Sequence, residues 1–197
     1  MPSGPLAGSA PVGGDGPPTP APGPPDPAEL ARLVDERAIV EVTHRYCAAL
    51  DGRDWAELAR CFTPDAVAVF GRVPGQHEGI AAIQRVCRRS LEPLDASQHL
   101  VANHLIDISG DAASSRCYVR AQHTRHGLEG GKNFIVAGTY EDEWKRTPEG
   151  WRITSRNLVV TWTEGNPAVL ARHAEEGSVA PGAPTGAGET EAGEGAR

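Results

Sequence analysis

Tyr46, Asp51, His99, His123, Tyr140 and Asn157 are polar residues set on stretches that otherwise read as apolar faces. Together they hold the parts for acid–base work on a small organic molecule. These are an imidazole that titrates near neutrality, a carboxylate to orient it, and a phenol or amide to hydrogen-bond a carbonyl. No serine elbow, phosphate loop or dinucleotide fingerprint occurs, because GLEGG (127–131) lacks the required spacing and setting. The parts list calls for no cofactor. A metal set of His99, His104, His123 and Asp51 has no compact ligand spacing, so no metal is expected. Each residue also has an ordinary alternative. Tyr46 could be a core aromatic, Asp51 a turn residue beside Gly52, His99 a surface histidine and His123 a hydrogen-bonded core histidine. Tyr140 and Asn157 could be plain strand hydrogen-bonders.

The element that must position the first two is RAIVEVTHRYCAALDGRDW (37–55). Ile39, Val42, Tyr46 and Ala49/Leu50 recur at the spacing of an amphipathic helix. Gly52 is expected to end that helix in the left-handed conformation. Asp54 and Glu57 then form a capping-box pattern for a second helix, running to about Phe62. Tyr46 and Asp51 lie about 140° apart around a helix, so they share a cavity only if it wraps around the helix end.

Downstream, Thr63-Pro64-Asp65 reads as a turn, 66–70 as a strand, 71–79 as a loop and 80–90 as a third helix. The rest is strand-rich. Segments 98–108 and 112–126 form a hairpin, 134–147 a long strand, and 151–163 a last strand, stopped by Asn166-Pro167. Helices followed by an antiparallel meander give an α+β class, with helices packed on one face of a curved sheet. Alternation places Cys117, Val119, Ala121 and His123 on one face, with Arg116, Tyr118, Arg120 and Gln122 on the other. It groups Phe134, Val136, Gly138, Tyr140 and Trp144 on the next strand, and Trp151, Ile153, Ser155, Asn157 and Val159 on the last. Gly138 and the small residues are expected to leave room for a pocket.

Composition bounds the rest. Residues 1–27 hold ten prolines and six glycines without hydrophobic period, and the chain from about Pro181 is Gly/Ala/Pro/Glu-rich, so both ends are expected to be disordered. The expected organisation is a 1–27 tail, a 28–167 domain, and a 168–197 segment of short helix or coil followed by an acidic tail. Most of the formal charge of −7 lies in the ends. With no Lys/Arg block, nucleic acid is not an expected partner. The four cysteines (Cys47, Cys61, Cys87, Cys117) lack CxxC spacing and read as buried free thiols. No signal peptide or membrane-length apolar run is present, so a cytoplasmic location is expected and no membrane partner.

The run YCAALDGRDWAELARCFTPDAV (46–67), then SQH (97–99), YVRAQH (118–123) and GTYEDEWKRTPEGWRITSR (138–156) resembles the SnoaL-like branch of the nuclear transport factor 2-like superfamily. The resemblance covers roughly 30–165. It implies a cone-shaped α+β barrel, three N-terminal helices packed in a curved, mostly antiparallel sheet, with a pocket at one end. Members include scytalone dehydratase, bile acid 7α-dehydratase, ketosteroid isomerase, polyketide cyclases and limonene epoxide hydrolase, alongside non-enzymatic binders. Tyr46, Asp51 and His99 match catalytic positions of the bile acid enzyme. His99 and His123 match active-site histidines of scytalone dehydratase. Val160 stands where the bile acid enzyme has an arginine, and Gly138 and Tyr140 replace the serine/asparagine pair of scytalone dehydratase. The epoxide hydrolase's Asp-Arg-Asp set is not evident.

The resemblance and the residues together give the expectation of a cofactor-independent lyase or isomerase, a dehydratase first. Catalysis would rest on Tyr46, Asp51, His99 and His123, with Tyr140, Asn157, Phe134, Val119 and Trp162 lining the substrate site. The substrate would be a hydroxylated, carbonyl-bearing, largely apolar molecule of secondary metabolism. A polyketide-type cyclase and a non-catalytic binder are the alternatives. A homo-oligomer, dimer or trimer, is expected through the outer sheet face that carries Arg116, Tyr118, Arg120 and Gln122.

Overall fold

In a computed structural model that describes residues 23–171 apart from Pro25 and Arg72, the chain opens with helix α1 (Pro27–Gly52). The expectations for 1–22 and 172–197 lie outside the described residues. Asp26 caps α1 by accepting from the Ala28 N–H, and Pro27 sits in the first turn, where its missing donor costs nothing. Ile39, Val42, Tyr46, Ala49 and Leu50 are buried, as their spacing requires. The helix ends one residue later than expected. Gly52 stays helical, and Arg53 takes the left-handed conformation at φ 57°. Asp54 then caps α2 (Trp55–Arg60) by accepting from the Glu57 N–H at 2.9 Å.

Strand β1 runs Phe62–Phe70 and β2 Val73–Glu78, followed by α3 (Ile80–Leu91). Two expectations fail here. Thr63-Pro64-Asp65 is an irregular part of β1, which breaks register between Phe62 and Val67 against its neighbour, not a turn ahead of a five-residue strand. The expected loop at 71–79 contains β2, an edge strand, and edges tolerate proline and glycine. The long strands are β3 (Ala96–Ser109), β4 (Ala112–Thr124), β5 (Asn133–Thr147) and β6 (Gly150–Gly165), and a 3-10 turn, Pro167–Val169, follows.

The six strands form one curved, unclosed sheet in the order β2-β1-β6-β5-β4-β3, antiparallel throughout except for the β1–β6 pair. It is an open cone, with β2 and β3 as free edges. α1 packs along β3, and α3 packs on β1. Arg146 donates two bonds to Asp35, at 2.6 and 2.7 Å, and Trp151 Nε1 donates to the same carboxylate, which ties α1 to the β5–β6 turn. No helix among the described residues is long and apolar enough to cross a membrane.

Two bulges reset the last strand. Trp144 pairs Ile153 and Glu143 pairs Ser155, which leaves Thr154 unmatched; Gly138 pairs Val160 and Ala137 pairs Trp162, which leaves Thr161 unmatched. One extra residue flips every later side chain to the other face. Arg156, Leu158 and Val160 therefore point inward, in place of Ser155, Asn157 and Val159. Gly138 also has a different role from the expected one. A Cβ there would stand 2.1 Å from the Val159 carbonyl oxygen, so the glycine admits the bulged β6 backbone and does not widen a pocket.

Candidate active site

Between α1, α3 and the concave side of β4–β6 lies a cavity of about 110 Å³. Tyr46 and Leu50 bound it from α1, and Val86, Cys87, Ser90 and Leu91 from α3. Val119, Ala121 and His123 of β4, Val136 and Tyr140 of β5, and Leu158 of β6 form the sheet wall, with His99 at the β3 edge. The wall is apolar apart from two imidazoles, two phenols, one hydroxyl and one thiol.

Asp51, in the last turn of α1, reaches across to the start of β3. His99 Nδ1–H donates to Asp51 Oδ1 at 2.6 Å, and the His99 backbone N–H donates to Oδ2 at 2.8 Å. Ser97 Oγ–H donates to Oδ1 at 3.0 Å. A carboxylate only accepts, so the bond fixes the proton on Nδ1 and leaves Nε2 with its lone pair. Burial pushes the Asp51 carboxyl up, but the His99 bonds and the Ser97 hydroxyl outweigh that and hold it below the usual 3.8. The His99 side chain is only 6 % exposed. An anionic carboxylate behind a nearly buried imidazole, with the free nitrogen beside an apolar cavity, is the geometry of a general base.

His123 stands edge-to-face with His99, ring centroids 5.6 Å apart. Its Nδ1–H donates to the Phe134 carbonyl at 3.3 Å. Burial first, and then the neighbouring His99, push its pKa down to about 4, so His123 is a neutral acceptor at its Nε2. Tyr46 and Tyr140 meet edge-to-face at 5.8 Å, and burial raises both phenols, which therefore remain hydrogen-bond donors.

Beneath the two phenols is a feature that the sequence reading missed. Arg156, wholly buried, donates through Nε and Nη2 to Asp142 at 2.7 and 2.6 Å. Its guanidinium carbon lies 4.0 Å from the Tyr46 ring centroid and 4.1 Å from that of Tyr140, a cation held between two aromatic faces. Nη1 has no partner. All four thiols are buried and free, with pKa values pushed up by burial to about 11 or 12.

Of the residues singled out from sequence, Tyr46, Asp51, His99, His123, Tyr140 and Val119 are brought together. Three others are not at the cavity. Phe134 is buried behind His123, and its carbonyl, not its ring, serves the site. Asn157 lies on the outer side of the Thr154 bulge, where its amide donates to Glu141 at 3.3 Å. Trp162, 45 % exposed, lines an outer-face groove with Leu100 and Tyr118. His104 is also remote from the dyad and packs against His44. Among the described residues, no group of three or more His, Cys, Asp or Glu side chains is arranged to hold a metal ion.

Comparison with known proteins gives the family and the fold. The family model for the SnoaL-like domain matches residues 31–157. The uncharacterized protein Rv2910c of Mycobacterium tuberculosis is 29% identical over 128 residues, covering 64% of this chain and 86% of its own. A candidate scytalone dehydratase from Novosphingobium aromaticivorans superposes with a TM-score of 0.65 at 23% identity, over 76% of this chain and 99% of that one. A hexachlorocyclohexane dehydrochlorinase, LinA type 2, superposes with a TM-score of 0.63 at 20% identity, over 76% and 99% of the two chains. At these identities the two structures establish the common fold.

Proposed function

The chain belongs to the SnoaL-like domain family, and from that premise we propose that it is a cofactor-independent lyase that removes water from a small hydroxylated carbonyl compound. The observation that carries the reading is the 2.6 Å bond from His99 to Asp51, with Nε2 left as a base at the edge of an apolar cavity. In the proposed reaction Nε2 takes the proton α to the carbonyl, while the Tyr46 hydroxyl donates to the carbonyl oxygen as negative charge develops there. Asp51 stabilises the imidazolium. That imidazolium returns its proton to the departing β-hydroxyl, and one carbon–carbon double bond and one water result. His123, neutral and an acceptor at Nε2, orients the hydroxyl and does not act as the acid. Its expected role as an acid–base partner is thus replaced by one in binding.

Dehydration is preferred over cyclisation because of size. The cavity, about 110 Å³, falls below the roughly 300–1,000 Å³ usual for drug-sized ligands. A single-ring or smaller molecule suits it better than a long chain that must fold to close a ring. Two of the structural resemblances point the same way in chemistry, since a dehydratase and a dehydrochlorinase are both named for eliminations.

The test is a panel of small β-hydroxy carbonyl compounds, with enone formation and α-deuterium uptake from heavy water measured in parallel. Asp51→Asn and His99→Ala should each slow both by about a hundredfold to ten-thousandfold, and the double variant should be hardly slower than the worse single. Tight binding with no exchange in the parent protein would make it a binder. Full activity in a folded Asp51→Asn protein would remove the dyad.

A further inference from the structure

Arg53 occupies the left-handed region at φ 57°, a conformation that disfavours any side chain, although a glycine stands immediately before it in a helical position. Ending α1 does not require this arrangement, because a glycine at 53 would do it without strain. What the arrangement achieves is to turn the Arg53 side chain back across the helix end. Its Nη1 donates to the Leu50 carbonyl at 2.5 Å, to the Asp51 carbonyl at 3.3 Å, and to Ser97 Oγ at 2.8 Å. Ser97 lies 44 residues away at the start of β3, directly opposite His123 in the ladder.

The direction of these bonds follows from the donors. Because the Ser97 oxygen accepts from a guanidinium, its one hydrogen is committed elsewhere, and the atom it reaches is Asp51 Oδ1 at 3.0 Å. That oxygen is the one that also accepts from His99 Nδ1. Arg53 thus donates to Ser97 and Ser97 to Asp51, and this short file of donors converges with the His99 Nδ1–H on one carboxylate oxygen. It also clamps the two elements that carry the dyad, the end of α1 and the beginning of β3.

We infer that Arg53 is a positioning residue that acts through Ser97 to hold Asp51, and so the His99 tautomer, in working geometry. The inference rests on the Asp51–His99 reading of the site, and its test is built so that the two can fail separately. Because all three Arg53 contacts run through one nitrogen, a lysine Nζ with its three donors can reproduce them, whereas a glycine relieves the backbone and removes the donor.

The experiment uses the full chain labelled with ¹⁵N-histidine, and needs no substrate. The parent protein should show two histidines as Nδ1–H tautomers with exchange-protected protons, His99 and His123, and a His99→Ala control identifies the His99 signal by its loss. Arg53→Gly, checked as folded by circular dichroism, should lose that protection at His99 by about tenfold or more and show the Nε2–H tautomer. Ser97→Ala should do the same, and Arg53→Lys should retain the parental signal. An unchanged signal in Arg53→Gly or in Ser97→Ala overturns the relay and leaves the dyad standing. Loss in Arg53→Lys as great as in Arg53→Gly overturns it too, since the donor would then not be what matters. Absence of the His99 Nδ1–H tautomer in the parent overturns the dyad reading itself, and the inference with it.

Discussion

Replacing Asp142 by asparagine removes the carboxylate that neutralises Arg156 while leaving its shape in place. The two side chains are 1 % and 0 % exposed, so no solvent is at hand to take over. Removing one partner of such a pair typically costs about 3–5 kcal/mol, because the remaining charge is buried and unpaired. The Tyr46 and Tyr140 faces at 4.0 and 4.1 Å stabilise the cation, by roughly 2 kcal/mol when it is desolvated, but they serve the parent equally and do not reduce the difference. For a domain of this size each kcal/mol moves the thermal midpoint by about 2–4 °C, so a fall of about 6–20 °C is expected. Urea unfolding followed by circular dichroism gives the free energy directly. A loss below about 1 kcal/mol with an unchanged slope would refute the reasoning.

The companion variant is Asp142→Leu/Arg156→Met, which removes both charges at similar volume. Its stability should lie near or above that of the parent, since two well-packed apolar residues need no desolvation to be overcome. If it is as unstable as the single variant, packing against the phenols, and not the ion pair, carries the energy.

His123 sets a pH dependence. Its pKa falls from 6.5 to about 4 on folding, so the unfolded chain binds the proton first and stability drops as pH falls from about 6.5 to 4, then levels. The full effect is about 3 kcal/mol, and His123→Gln should flatten that part of a stability–pH curve. Gly52 is helical and a Cβ there meets nothing within 4 Å, so Gly52→Ala should stabilise by about 0.5–1 kcal/mol in urea melts; destabilisation would mean that Gly52, not Arg53, takes the left-handed turn. On the outer sheet face Leu100, Leu105, Tyr118 and Trp162 are 58, 70, 60 and 45 % exposed. We expect a second copy of the chain to cover them, so light scattering should give an oligomer that Tyr118→Asp/Trp162→Asp converts to a monomer; a parental monomer at micromolar concentration rejects this.

How far the site could be read from sequence depends on where the strands keep their phase. β4 pairs both neighbours without a bulge along the stretch that matters, and there Val119, Ala121 and His123 face inward as alternation requires. β6 carries unmatched residues at Thr154 and Thr161, which no local composition marks; alternation carried through the first sends Asn157 to the wrong side, and the second restores the original phase, which leaves Trp162 outside. Glycine misleads in the same way at the helix end, where Gly52 marks the stop to within one residue but Arg53 takes the strained turn. β2 hides because an edge strand accommodates the prolines and glycines that elsewhere signal a loop. The dyad joins residues 48 apart in the chain, a distance over which spacing constrains nothing, so only the family resemblance could pair Asp51 with His99. The buried ion pair was half legible. Asp142 shares the phase of Tyr140 and Trp144, and a carboxylate on that inward face requires a cation opposite it. On the neighbouring strand Arg152 alternates outward between Trp151 and Ile153, which leaves Arg156. It reaches the interior only if one residue of β6 bulges out, and Thr154 is that residue.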